Sequence, residues 1–323
     1  MNARRFLASA GSVFLLSAGA VGVAGPAYAN HVACGQTITV STVLDSNVGP
    51  CSTGITIGAD NITFDLNGFT FSGTPTTGDG PGISLEGRSG VTVKGGTVTQ
   101  FDAGVAITDG TGDTVTNMRV IDNRGSTATD FGDGIALFNS NNNTITKNQV
   151  RNNGPYDGIG LIVSNNNLID SNQITDNNQS ANNTAGVRLE NLAAQRLSSN
   201  GNTVTNNVVT NSGIYGIEVF AGGSSNVIRT NQVIGNKLDG ITVFAGGNNN
   251  VIEANNVRSN GANGIYVRGA AGSFAAPSGN QVLRNQSFGN AQIDLRDGTP
   301  NCGTNQWHGN QGVTATPTCT LNP

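Results

Sequence analysis

YGIEVFAGGSSNVIRTNQVIGNKL (residues 215–238) is followed at once by DGITVFAGGNNNVIEANNVRSNGA (239–262) and then by NGIY (263–266). Gly216, Gly240 and Gly264 are 24 residues apart, as are Asn231 and Asn255. Each unit holds three short apolar runs, such as Ile217/Val219, Val227/Ile228 and Val233, separated by Gly, Asn and Ser. None of the runs reaches helical length, so each reads as a short strand ended by turn residues. A fixed period in the twenties built from short strands is the signature of a solenoid.

The same register extends outward. The Gly that opens a strand recurs at Gly82, Gly104, Gly134, Gly158 and Gly186. Aliphatic pairs follow it at Ile83/Leu85, Val105/Ile107, Ile135/Leu137, Ile159/Leu161 and Val187/Leu189, and Ile293/Leu295 continues the pattern without its Gly. A second column of turn residues runs through Asn67, Asn148, Asn172, Asn207, Asn231, Asn255 and Asn285, with Gly96 and Met118 substituting in two early turns. Repeat length varies from 22 to 35 residues, which predicts loops added to a constant coil. Period-two alternation turns one side of every strand inward. Leucine-rich and helical repeats are excluded by the missing Leu consensus and the missing runs of ten or more residues. The chain is therefore expected to be all-β, a right-handed parallel β-helix of roughly ten coils. At a strand spacing of about 4.8 Å it would be about 45–50 Å long. Stacked Asn amides would bond from coil to coil in the turns.

Residues 1–29 read as an export signal, with Arg4 and Arg5, an apolar stretch from Phe6 to Val23, and Ala27-Tyr28-Ala29 as the cleavage site. The mature chain, 30–323, is expected to be one β-helix domain, secreted and monomeric. Cys34 and Cys51 lie near one end and Cys302 and Cys319 near the other. In an oxidising compartment they are expected to form two local disulfides, 34–51 and 302–319, because the tips of a long rod cannot meet. Residues 30–57 and 301–323 then read as caps over the open ends of the solenoid, with Trp307 as a plug. A net charge of −4 without a basic stripe argues against nucleic acid, and no amphipathic basic helix points to a membrane surface.

The opener CGQTITVSTVLDSNVGPC (34–51), rungs such as NNTITKNQV (142–150) and the closing NCGTNQWHGN (301–310) resemble secreted bacterial right-handed β-helix proteins, the group of pectate-lyase-like enzymes and NosD-type periplasmic proteins. The resemblance covers about residues 34–320 and implies the fold and an extracellular polysaccharide as the partner. It implies no catalytic residue: the N-x-D, G-H-G, R-x-K, D-P-H-D and R-x-P-x-x-R elements of its enzymes are absent. With His31 and His308 confined to the chain ends, a metal–imidazole chemistry is not expected.

Carboxylates, arginines and aromatic residues remain as candidates. Asp133 and Asp157 each precede a strand-opening Gly on neighbouring coils, about 5 Å apart by strand stacking. Such a pair suits a shared proton or a Ca2+ ion; Asp239 and Asn263 in the same register suit turn capping instead. The outward row Arg188, Glu218, Thr242, Tyr266 and Asp294, with Glu190, Phe220, Phe244, Arg268 and Arg296 beside it, makes one face charged and aromatic. Arg188, Glu218 and Tyr266 are candidates for sugar chemistry of the lyase or hydrolase kind, with Phe220, Phe244 and Arg268 as binding residues. Loops at 124–131, 178–184, 192–201 and 270–279 would wall this face. The competing reading is a row of cross-coil ion pairs, as at Asp65/Lys94 and Arg229/Glu253 on another face, in a non-catalytic adhesive rod.

Overall fold

The computed structural model describes residues 28–75, 78–125, 132–178, 184–192 and 197–321. Three parallel sheets, here sheets 1, 2 and 3, wind around one core. The coil that opens the quoted repeat shows the pattern: Tyr215–Val219 in sheet 1, Val227–Arg229 in sheet 2, Gln232–Ile234 in sheet 3, then Ile241–Val243 in sheet 1 again. Sheets 1 and 2 have twelve strands each and sheet 3 has ten, and no α-helix occurs among the described residues. The expected signal, residues 1–29, lies outside the described residues except for Tyr28 and Ala29, which pair with Thr42 and Val43 in sheet 2.

Stacking in register builds the core. Ile217, Ile241 and Ile265 are successive partners in sheet 1, and none is exposed to solvent. Upstream the column runs through Val187, Ile159, Ile135, Val105 and Ile83, and downstream it continues through Leu295 to Ala315. Removing each such side chain from water contributes about 1.5–3 kcal/mol.

The corners explain the Asn content. At most corners a residue with positive φ turns the chain, and the residue after it, in most coils an Asn, points inward. Ser171, Asn206, Thr230 and Ala254 have φ between 52° and 57°, and Asn172, Asn207, Asn231 and Asn255 come next. The Asn231 carboxamide accepts from the backbone N–H (2.9 Å) and side-chain amide (3.1 Å) of Asn207. It donates to Asn255 Oδ1 at 3.0 Å and to the Val204 carbonyl at 2.9 Å. The ladder runs from Met118 N–H on Asn148 through to Asn310. Two more ladders occupy the other corners, one through Asn143, Asn167, Asn202, Asn226, Asn250, Asn280 and Asn305, the other including Asn123–Asn153–Asn177 and Asn236–Asn260–Asn290. Asn67 is not a member of the first. Its turn has two extra residues, Phe69 holds the ladder position beside Gly96, and the Asn67 amide donates to the Leu44 carbonyl.

Disulfides join Cys34 to Cys51 and Cys302 to Cys319. Trp307 continues the core column of Val282 and is 2% exposed, and its indole N–H donates to Asp297 at 2.9 Å. Of the expected outer ion pairs, Lys94–Asp65 forms at 3.2 Å. Glu253, though in register with Arg229, pairs with Arg284 on the following corner.

Candidate functional site

Sheet 1 places Gly160, Arg188, Glu218, Thr242, Tyr266 and Arg296 in one outward row. The sequence reading put Asp294 beside Tyr266. The structure pairs Leu295 with Ile265, so the row slides by two residues and Arg296 takes that place. The Ile/Leu pair at 293–295 misleads because only its second member enters the core column. Asp294 turns away and accepts from Asn290, Val313 and Thr314, and hydrogen bonding holds its carboxyl below the usual range despite burial.

Outward here does not mean exposed. Glu218 has no exposed surface and Arg188 is 5% exposed. Arg188 Nε sits 2.9 Å from Glu218 Oε2 and Arg188 Nη1 3.8 Å from Glu190. Glu218 Oε1 has no hydrogen-bond partner among the described residues. Burial pushes the Glu218 carboxyl up to about 8, with Asp157 and Glu190 adding repulsion, against the opposing charges of Arg188 and Arg268.

The cover is a ladder of guanidinium groups and rings. Arg188 lies 4.5 Å over Phe220, Phe220 packs 5.4 Å from Phe244, and Arg268 lies 4.4 Å over Phe244. Arg268 and Arg296 then flank Tyr266 at 4.9 and 4.5 Å. Arg268 is the hub: it pairs with Asp239 at 2.6 Å and donates to Thr242 Oγ1 at 3.1 Å and to Tyr215 Oη at 3.3 Å. Phe220 and Phe244 are therefore not a bare stacking floor, since each has a guanidinium on its ring.

Tyr215 was missed in the sequence. It occupies the register of Asp157 and Asp239, one residue before the opening Gly, and packs edge-on to Phe244 at 5.7 Å. Its burial raises the phenol pKa. That register was legible; a large aromatic among Asp and Asn was the available signal.

Asp133 and Asp157 are both buried. Asp133 Oδ1 accepts from the Asp157 N–H at 2.9 Å, and Asp157 Oδ1 from the Ala185 N–H at 2.7 Å. Asp239 does the same for Asn263 at 3.0 Å. One oxygen of each is thus engaged in coil-to-coil capping. Among the described residues no group of three or more His, Cys, Asp or Glu side chains is gathered for a metal ion.

Of the expected loops, 126–131, 179–183 and 193–196 lie outside the described residues. The loop at 270–279 is described. It bridges Ala271 to Phe274 and brings the Phe274 ring onto the successive turns of Gly222 and Gly246, beside Phe220 and Phe244. Both glycines have positive φ, and a Cβ on Gly246 would stand 2.8 Å from the Phe274 ring. The FAGG repeat thus makes a shelf for this loop. A shallow depression lined by Thr205, Asn206, Arg229, Thr230, Glu253 and Ala254 lies elsewhere, at the corner between sheets 2 and 3. It brings together neither aromatic rings nor buried carboxylates.

The sequence matches the family described as the right-handed β-helix region over residues 30–194 and 182–318, and the chain belongs to that family. No curated protein matches it in sequence. Among solved structures it is similar to the Dettilon tailspike protein (TM-score 0.60, 16% identity, 85% of this chain and 55% of that one). It is also similar to a double mutant of the periplasmic alginate epimerase AlgG (0.57, 14%, 88% and 79%). A third is the catalytic domain of a GH87 α-1,3-glucanase in complex with nigerose (0.53, 12%, 90% and 62%). The chain spans little more than half the length of the tailspike, and at these identities the likeness is one of fold.

Proposed function

We propose that the protein is an exported β-helix that binds an extracellular polysaccharide along the outer face of sheet 1. The observation that carries this reading is the Arg188–Phe220–Phe244–Arg268–Tyr266–Arg296 ladder, which spans five successive coils and is partly open to solvent at its C-terminal end. Amphipathic rings and planar cations on a rigid flat face suit a polymer with hydroxyl edges and C–H faces. The fold is shared with an alginate epimerase and an α-1,3-glucanase, which agrees with this class of ligand. Two formed disulfides agree with an oxidising compartment, extracellular or periplasmic, and with residues 1–29 acting as an export signal.

Binding is favoured over lyase or hydrolase chemistry by the sealing of Glu218. A carboxyl held protonated near neutral pH suits a proton donor, but it must reach the glycosidic oxygen. Glu218 is covered on every side, so the site as arranged holds a chain rather than cuts it. An adhesive or structural rod is the form this takes if the bound glycan belongs to a surface.

The test is a glycan array, followed by reducing-end and unsaturated-product assays on every glycan that binds. Binding that is lost in a Phe220→Ala/Phe244→Ala double variant, without product, supports the proposal. Product formation would replace it with the enzymatic reading, and an array without any bound glycan would sink it.

A further inference from the structure

We propose that the glycan held on this face is anionic and that its carboxylate or sulfate group docks on Arg296. The inference rests on the glycan-binding reading and adds the chemical class and the anchoring residue.

Charge along the ladder is unevenly balanced. Arg188 has Glu190 as a counter-charge and lies against the buried Glu218 carboxyl, and Arg268 meets Asp239. Arg296 has no carboxylate within ion-pair distance among the described residues, although acids flank it in sequence. Asp294 is turned to Asn290, Val313 and Thr314, and Asp297 to the Thr299 N–H, Asn305 and the Trp307 indole. Both carboxylates are thereby spent on the C-terminal cap, which leaves the guanidinium between them for an external partner. Its Cζ lies 4.5 Å over the Tyr266 ring, a contact that restrains where the guanidinium sits. A planar fork held against a ring before binding suits bidentate recognition of a carboxylate or sulfate, with less ordering to be done on association. The neighbouring Arg268, though paired, lies 4.9 Å from the centre of the same ring and adds positive potential there. A neutral sugar offers that cation no counter-charge.

The test uses the intact mature protein and calorimetry with three oligosaccharides of matched length: oligogalacturonate, a sulfated galactan oligomer and a neutral xylo-oligosaccharide. At least one anionic probe is expected to bind, and whichever binds more tightly identifies the source of the charge. Arg296→Gln should weaken that binding about ten- to a hundredfold, the range for a lost charge-assisted contact, and remove most of its salt dependence. Arg296→Lys should weaken it less, because charge is kept and the fork is lost. Neither variant disturbs a hydrogen bond of the fold, and circular dichroism with a melting curve confirms this. An anionic probe that binds wild type and Arg296→Gln equally overturns the assignment. So does a neutral probe that binds while both anionic ones do not; if Phe244→Ala then weakens the neutral probe, the glycan-binding face survives. If no probe binds, both ideas fall.

Discussion

Asp113 shows how much one atom matters in a stacked fold. It stands at the N-terminal end of an Asn ladder, its N–H donating to Asn143 Oδ1 and its own Oδ1 accepting from the Val91 N–H. Its Oδ2 is buried without a hydrogen-bond partner among the described residues. Burial raises the carboxyl to about 6, opposed by the Val91 hydrogen bond. The folded state therefore holds a proton that the unfolded chain releases near pH 4, so this residue's contribution falls as pH rises from about 4 through 6. Asp113→Asn supplies an amide donor at that point and carries no charge. We expect it to stabilise the protein by about 1–3 kcal/mol at pH 7–8, with the gain vanishing below about pH 4. Urea melts of both proteins at pH 4 and 7.5 check this; a gain independent of pH would show that charge is not the cause.

The element that distinguishes this β-helix is the corner, an αL residue followed by a buried Asn. Replacing Asn231 by Ala removes the acceptor of the Asn207 N–H and leaves the chain to find another in a dry corner. A buried donor without an acceptor costs about 1–3 kcal/mol, and the lost amide contacts to Asn255 and Val204 add to it. The expected loss is about 2–4 kcal/mol, read from the shift of the urea midpoint. Gln232→Ala, one residue on and exposed, should stay within about 0.5 kcal/mol. Equal effects at the two positions would refute the ladder as a source of stability. The first ladder is visible in the spacing of Asn148, Asn172 and Asn207, and its two companions keep that spacing at a constant offset of five residues, as Asn226 and Asn236 stand on either side of Asn231. All three were therefore legible, although only one entered the sequence expectation. Asn67 fits the spacing only roughly, because two extra residues in its turn displace it from the column.

At the scale of the molecule, the strands of each coil pair only with those of the coils next to it, so damage at one end should stay there. Asp297 holds the Trp307 indole, Asn305 and the Thr299 N–H together, next to the Cys302–Cys319 bridge. Asp297→Ala is expected to raise amide exchange over 295–321 by an order of magnitude or more, since one charge-assisted contact at about 1.5–3 kcal/mol governs local opening. Residues 215–243 should keep their protection. Hydrogen exchange with mass spectrometry resolves the two, and loss of protection along the whole rod would contradict nearest-neighbour stability.

The period of Gly, aliphatic pair and Asn determined the solenoid, its parallel strands, its inward residues and the local cysteine pairing, because stacking turns spacing in the chain directly into neighbourhood in space. Which outward residues share a row was legible wherever coils are regular, and so Arg188, Glu218 and Tyr266 were found together. Only the tertiary structure decided that Glu218 is sealed, that the rings are faced by guanidinium groups, and that Arg296 rather than Asp294 follows Tyr266 in the row. Burial on an outer face depends on side chains from several coils folding over one another, and register at a chain end depends on what the cap requires. Neither quantity is periodic, so the repeat carries no record of it.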